Sequence, residues 1–187
     1  MLETIVLSAA AFAGTNIDDL FISMFFFSSA CSAAQKRRIA AGKYLGLLTL
    51  SILSFLGAKG VQALPLHWIR LLGLVPAALG IREAIRAVRR SKDDETQNVP
   101  GPNLLLSTAL VTIANGADNI GIYVPLFASF TMKQMAAAAV VFLLLNGLWC
   151  WIADKLVSLP LLRTALDQGK AFIVPLVYLL LGLYILF

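Results

Sequence analysis

Two clusters of carboxylate and amide side chains lie in the middle of strongly apolar segments. Their members are Asn16, Asp18 and Asp19 in the first segment and Asn115, Asp118 and Asn119 in the second. An Asp at the centre of a membrane-spanning helix costs about 2.5–3.5 kcal/mol. These carboxylates are therefore expected to face the protein interior or a wet cavity, where they are paired, protonated or bound to a cation. Carboxylate and amide oxygens are suitable ligands for a divalent metal ion.

Helical spacing places the members of each cluster on a shared face. Asn16 and Asp19 are three residues apart, and Tyr123 continues the second cluster four residues after Asn119. Asp18 and Asp19 lie about 100° apart on an ideal helix, so spacing alone does not decide which is the inner ligand.

A counter-charge for these carboxylates is not evident from the sequence. Lys43 is expected to lie near the cytoplasmic end of its helix, where its long stem can snorkel to the interface. The counter-charge is then a bound or transported cation, or protons. Pro125 frees the carbonyl of Gly121, so a kinked segment there could add a backbone ligand. In the structural alternative, protonated Asp side chains join helices by hydrogen bonds.

The composition is that of an integral membrane protein. Of 187 residues, 59% are hydrophobic and 13% are charged, and the mean hydropathy is +0.84. A soluble domain has roughly 25% charged residues. These values exclude a disordered chain, a nucleic-acid-binding domain and almost any soluble enzyme, and they make the lipid bilayer the main partner. No nucleotide-binding Gly-rich loop is present, so gradient-driven transport is favoured over a motor within this chain.

The apolar segments predict an all-α membrane protein with six spanning helices, located in the plasma membrane. The expected spans are 4–30, 39–60, 68–90, 104–128, 134–154 and 170–187. Twelve Lys and Arg residues fall in the loops of one side and three in those of the other. This bias predicts that both termini face away from the cytoplasm.

The chain is expected to be a single membrane domain, 1–187, made of two halves. A cytoplasmic linker, 91–102, separates repeat one (1–90) from repeat two (103–187). Asp18 aligns with Asp118, and each is followed by Asp or Asn and then an aliphatic residue. Because each half has three spans, the two halves would insert in opposite senses, as in the inverted repeats of secondary transporters.

Four further residues are candidates for accessory roles. Tyr123 and Asn146 could supply ligands or join helices, and Cys31 and Cys150 could form an entry point for a soft metal or could simply pack as small apolar groups. Gly42 and Gly46 have the spacing of a close helix contact, either within one protomer or across a homodimer.

Several of these motifs resemble one known family. Asn16-Ile17-Asp18-Asp19, Gly42-Lys43-Tyr44-Leu45-Gly46, the segment from Leu72 to Ile81, and Gly116-Ala117-Asp118-Asn119-Ile120-Gly121 leading to Val124-Pro125 are similar to the CadD-type cadmium-resistance transporters of the LysE exporter superfamily.

The resemblance implies a six-helix exporter of Cd²⁺ or a related divalent cation, with no resident cofactor and no enzymatic activity. The acidic motifs of the family fall on Asp18, Asp19 and Asp118, with Asn119 beside them. The family pattern can carry a Cys where this chain has Asn115. A site without thiolate is harder, which makes Zn²⁺ or Mn²⁺ plausible beside Cd²⁺.

Two other functions remain open at this point. An amino-acid exporter of the same superfamily would need a basic partner for the substrate carboxylate, and no intramembrane Arg is evident. An intramembrane aspartyl protease also uses two Asp on different helices. Its Gly-x-Gly-Asp motif is absent, and Gly116-Ala117-Asp118 is the nearest match.

Overall fold

The computed structural model describes residues 1–63, 65–89, 103–157 and 175–186, and this part of the chain is helical apart from short turns. The helices are α1 (Leu2–Ser28), α2 (Ala33–Gln62), α3 (Leu66–Leu71), α4 (Leu74–Arg89), α5 (Leu104–Ala114), α6 (Ala117–Ala128), α7 (Met132–Leu156) and α8 (Pro175–Leu186). The predicted linker 91–102 lies outside the described residues.

Three helices, α1, α2 and α7, are long and apolar enough to cross a membrane without interruption. The predicted span 68–90 consists of two helices, α3 and α4, which are separated at Leu72-Gly73. The predicted span 104–128 also consists of two, α5 and α6, with the interruption at Asn115-Gly116. Of the predicted span 170–187, the structure describes the apolar helix α8.

Polar side chains at the turns fix where the long helices begin and end. Ser32 caps α2 by accepting a hydrogen bond from the backbone N–H of Gln35, at 3.3 Å. Thr131 and Gln134 form a capping box at the start of α7. At the ends of α1 and α6, Ser29 and Ser129 each donate a hydrogen bond of 2.7 Å to the carbonyl three residues earlier.

Glycines allow the helices to pack closely within the chain. The main helix pairs are α1 with α7 and α2 with α5 and α6. A methyl group added to Gly46 would lie 2.6 Å from Cβ of Thr112 on α5, so the Gly42–Gly46 face packs within one protomer. Between α4 and α8, a methyl group added to Gly182 would lie 2.7 Å from the carbonyl oxygen of Gly73.

The outer faces of the long helices are apolar, and the interior holds polar side chains. Exposed apolar residues recur at helical spacing along α2 and α7, namely Leu45, Leu48, Ile52 and Leu56, and Val140, Leu144, Leu148 and Trp151. The buried polar residues include Ser8, Asn16, Asp19, Ser23, Lys43, Ser54, Asn119 and Asn146. Large exposed apolar surfaces around an interior that holds polar side chains among apolar ones are expected for a bundle surrounded by lipid.

Contacts between helix ends define two opposite ends of the bundle. Nζ of Lys36 at the start of α2 lies 2.6 Å from Oδ1 of Asp154 near the end of α7. At the other end, the amide of Gln134 donates to Oγ1 of Thr4, at 3.2 Å. The amide of Gln62, the last residue of α2, donates to the carbonyl of Phe130 in the α6–α7 turn, at 3.0 Å. The α1–α2 turn and the α6–α7 turn therefore lie at opposite ends.

Candidate functional site

The break between α5 and α6 places Asp118 in the first turn of α6. Asn115 is the C-cap of α5, and Gly116, which packs against the side chain of Leu50 on α2, is the N-cap of α6. Pro125 lies inside α6, so the interruption occurs more than two turns before the proline. A helix N-terminus presents backbone N–H groups and a partial positive charge, which favour a carboxylate at this position.

Asp118 is partly buried and accepts two hydrogen bonds from neutral donors. Oδ1 accepts from the backbone N–H of Asn119 at 3.0 Å, and Oδ2 accepts from the hydroxyl of Tyr178 on α8 at 3.0 Å. Among residues 1–63, 65–89, 103–157 and 175–186, no Lys or Arg forms an ion pair with Asp118. The carboxylate is therefore held in place by groups that do not neutralise its charge.

Asp18 and Asp19 are neighbours in α1 but point to different surroundings. Asp18 is exposed, and it lies close enough to Asp118 for the two carboxylates to repel each other. Asp19 is only 8% exposed and forms an ion pair with Lys43 on α2. The second carboxylate oxygen of Asp19, Oδ1, is buried and has no hydrogen-bond partner in the described part of the chain.

The predicted position of Lys43 was wrong. Its side chain is 2% exposed and pairs with Asp19, so it does not snorkel to an interface. Lys43 follows the start of α2 by ten residues, which corresponds to about 15 Å along the helix axis. Asp19 lies a similar distance before the end of α1. One intramembrane carboxylate therefore has a counter-charge within the chain.

A hydrogen-bond network lies beside the carboxylates and joins α1 to α6 and α7. The hydroxyl of Tyr123, which is fully buried, lies 2.9 Å from Oγ1 of Thr15 and accepts from the amide of Asn16 at 2.9 Å. The indole N–H of Trp149 donates to the backbone carbonyl of Asn16 at 2.9 Å. This network fixes the backbone of α1 immediately before Asp18 and Asp19.

The family model for cadmium resistance transporters matches residues 12–187, which include both carboxylate clusters. The chain belongs to the cadmium resistance transporter family. It matches no curated protein and no solved structure. The family is one of transporters, which implies a non-enzyme, and the apolar helices agree with a membrane protein.

The remaining candidates for the transporter's site differ in their exposure and in their hydrogen bonding. Asn115 is exposed at the helix break, whereas Asn119 and Asn146 are buried. Oδ1 of Asn119 and Nδ2 of Asn146 have no hydrogen-bond partner among the described residues. Cys31 is exposed in the α1–α2 turn. Cys150 on α7 is buried in a cluster with residues of α1 and α2.

The described residues contain no group of three or more His, Cys, Asp or Glu side chains that could hold a metal ion. A cation near Asp18 and Asp118 would therefore need amide, hydroxyl, backbone carbonyl or water oxygens to complete its coordination. One such oxygen is Oδ1 of Asn119, the residue next to Asp118, which is buried and has no hydrogen-bond partner among the described residues.

Tyr178 and Thr15 are site residues that the sequence analysis did not identify. Tyr178 lies in an apolar run, where a tyrosine is an ordinary constituent of a membrane helix. The only available signal was that its hydroxyl would need a partner if the side chain were buried. The partner could not be identified without the packing of α8 against α1 and α6.

Proposed function

We propose that this cadmium resistance transporter exports a divalent cation across the plasma membrane and binds it between α1 and α6, at Asp118 and Asp18. The observation that carries the proposal is the position of Asp118. It lies at a helix break inside the bundle, and its described hydrogen-bond donors are neutral. In this assignment the side-chain amide of Asn119 is a further oxygen ligand, and its Oδ1 has no hydrogen-bond partner in the described part of the chain.

Electrostatics supports a cation as the missing partner of Asp118. An ionised carboxylate within the hydrocarbon region requires a compensating charge or must become protonated. Asp19 meets this requirement with Lys43. We therefore assign Asp19 to the structural support of the site and Asp118 to the cation. Asn16 supports the site through its hydrogen bond to Tyr123. Asn115 supports it as the C-cap of α5 at the helix break.

The ligand atoms available at the site influence which cation the protein transports. Cd²⁺ is the first candidate, because the family is that of cadmium resistance transporters. Carboxylate and amide oxygens form a hard site, and Cys150, the buried thiol, belongs to an apolar cluster that includes Leu20 and Ile39. Zn²⁺ and Mn²⁺ are therefore kept as alternative substrates. Cys31 and Cys150 are not assigned as ligands.

The transporter is proposed to span the membrane six times as two inverted repeats, with both termini outside the cytoplasm. The equivalent caps Ser29 and Ser129 support a repeat with an offset of 100 residues, the same offset that relates Asp18 to Asp118. The packing of α1 on α7 has its counterpart in the packing of α2 on α5. Excluding the buried Lys43 from the loop count leaves eleven basic residues against three, so the orientation is unchanged.

Export is proposed to be secondary active and coupled to protons. Rocking of one repeat against the other would expose Asp18 and Asp118 to the two sides in turn. Protons that replace the cation would compensate the carboxylates during the return step.

An amino-acid substrate is less compatible with the site. A zwitterion would need a basic group for its carboxylate. Lys43 is buried, but its ammonium group is already paired with Asp19.

The test is flux of Cd²⁺, Zn²⁺ and Mn²⁺ in proteoliposomes containing the full-length protein, with and without a pH gradient. Asp118→Asn and Asp18→Asn keep the side-chain size and remove the charge. We expect Asp118→Asn to lower flux at least a hundredfold and Asp18→Asn to lower it similarly, while both proteins remain folded in detergent.

Asp154→Asn is the matched control, because it removes a carboxylate that pairs with Lys36 at the partly exposed end of α7. It is expected to retain flux close to wild type. Flux of wild-type size in Asp118→Asn would contradict the proposed site, and an absence of flux for all three metals in wild type would contradict the proposed substrate class.

A further inference from the structure

Tyr178 has a single hydroxyl group placed between two acceptors on different helices. Its oxygen lies 3.0 Å from Oδ2 of Asp118 on α6 and 3.3 Å from the backbone carbonyl oxygen of Gly14 on α1. The side chain is 1% exposed, so water is not a ready alternative partner. A phenol has one hydrogen, so it can donate fully to only one of these acceptors at a time.

Gly14 makes this arrangement possible. A methyl group added there would lie 3.1 Å from Cε1 of Tyr178 and 2.9 Å from Cγ1 of Val177. A side chain at position 14 would therefore push α8 away from α1. The hydroxyl would then lose the Gly14 carbonyl as an acceptor.

We propose that Tyr178 is a positioning residue whose hydrogen bond moves from Asp118 to the Gly14 carbonyl when Asp118 binds a cation. The inference rests on the proposed function, and it assigns to Tyr178 the control of how strongly Asp118 holds its ion. The movement requires rotation of the O–H bond and no displacement of the ring, because both acceptors are already within hydrogen-bond distance.

The direction of the switch follows from the strength of the two acceptors. An ionised carboxylate accepts a stronger hydrogen bond than a neutral carbonyl, so the hydroxyl favours Asp118 while the site is empty. A bound cation withdraws charge from the carboxylate and makes it a weaker acceptor. The hydroxyl then turns to Gly14 and is not left without a partner, which would be costly in a buried position.

The Tyr178 hydroxyl affects transport in both the empty and the loaded state. The hydroxyl stabilises the empty carboxylate, so it weakens cation binding and promotes release. In the loaded state the same hydroxyl joins α8 to the backbone of α1, four residues before Asp18. Occupancy of the site is thereby linked to the contact between helices of the two proposed repeats.

The experiment is Cd²⁺ uptake into proteoliposomes by the full-length Tyr178→Phe variant. Removing the hydroxyl destabilises the empty site more than the loaded one. We expect the KM for Cd²⁺ to fall about tenfold, the size expected for one hydrogen bond to a charged group. The kcat is expected to fall several-fold because release slows. Tyr184→Phe is the matched control, since it removes a hydroxyl from an exposed position of the same helix and should leave both constants unchanged.

A second measurement keeps the inference testable if Tyr178→Phe folds poorly. In wild-type protein with ring-deuterated tyrosine, addition of Cd²⁺ should shift a tyrosine C–O band in the infrared difference spectrum. An unshifted tyrosine band would overturn the switch, and so would an unchanged KM in a well-folded Tyr178→Phe variant. Either result, combined with loss of flux in Asp118→Asn, would leave the proposed function standing. Normal flux in Asp118→Asn would overturn both.

Discussion

At the scale of single residues, two adjacent carboxylates have different surroundings. Asp19 is buried against Lys43, whereas Asp18 is exposed and lies near Asp118. In the second half of the chain, the residue after Asp118 is Asn119, which is neutral and buried. In the proposed repeat, Asn119 occupies the position that corresponds to Asp19, so this position does not require a charge. Asp19 is therefore suited to positioning α1 against α2.

Lys43→Met is predicted to destabilise the transporter strongly, because it leaves the buried Asp19 without its counter-charge. Breaking one partner of a buried ion pair costs about 3–5 kcal/mol. The double variant Lys43→Met/Asp19→Asn removes both charges and should recover most of the loss. Thermal unfolding of the purified protein in detergent measures both effects.

The control for this prediction is Lys36→Met, which breaks the partly exposed pair with Asp154. A surface pair of this kind contributes at most about 1 kcal/mol. If Lys43→Met were no more destabilising than Lys36→Met, the buried pair would not support the fold. If the double variant were stable but transported no cation, Asp19 would have to be assigned to the cation-binding site as a ligand.

At the scale of elements, the first carboxylate cluster lies on a continuous helix, whereas the second lies at a break between two helices. α1 runs without a break through Asn16 and Asp19, whereas the corresponding part of the second half is interrupted at Asn115-Gly116. Gly116 permits the interruption to pack closely, since its added methyl would collide with the side chain of Leu50 on α2. The break presents the N-terminal turn of α6, with Asp118 in it, to the interior of the bundle.

Gly46→Ala is predicted to destabilise the α2–α5 contact although alanine favours the helix. The new methyl group would lie 2.6 Å from Cβ and 2.7 Å from Cγ2 of Thr112, and overpacking of this kind costs about 1–3 kcal/mol. Gly60→Ala is the control, because nothing lies within 4 Å of an added methyl at that position of α2. It should stabilise the protein by up to about 1 kcal/mol. The measurement is the midpoint of unfolding in detergent. An upward shift of this midpoint in both variants would disprove the close contact.

The sequence predicted the helical class, the three long apolar helices and the polar clusters, because hydropathy and the cost of intramembrane charge are local properties. It did not predict the pairing of Lys43 with Asp19. Whether a lysine snorkels or turns inward depends on which side chain faces it from the next helix. The sequence did not predict the break at Asn115-Gly116, since the span 104–128 was expected to be one helix and the local signal for a kink was Pro125. Tyr178 was missed because its acceptors lie on helices distant in sequence.

At the scale of the whole molecule, contacts between helix ends constrain the topology of the transporter. Lys36 meets Asp154 at one end of the bundle, and Gln134 meets Thr4 at the other. The equivalent caps Ser29 and Ser129 therefore lie at opposite ends, as an inverted repeat requires. The excess of Lys and Arg at the end that contains Ser29 supports the proposal that this end faces the cytoplasm.

Ser29→Cys and Ser129→Cys are predicted to react with a membrane-impermeant maleimide from opposite sides. Both residues are exposed, and both substitutions are made in a chain carrying Cys31→Ser and Cys150→Ala. We expect Ser129→Cys to be labelled in intact cells and Ser29→Cys only in inverted membrane vesicles, because the basic α1–α2 turn is proposed to face the cytoplasm. Labelling of both from the same side would rule out the inverted repeat. The reverse pattern would keep the repeat but would contradict the proposed orientation, because it would place both termini in the cytoplasm.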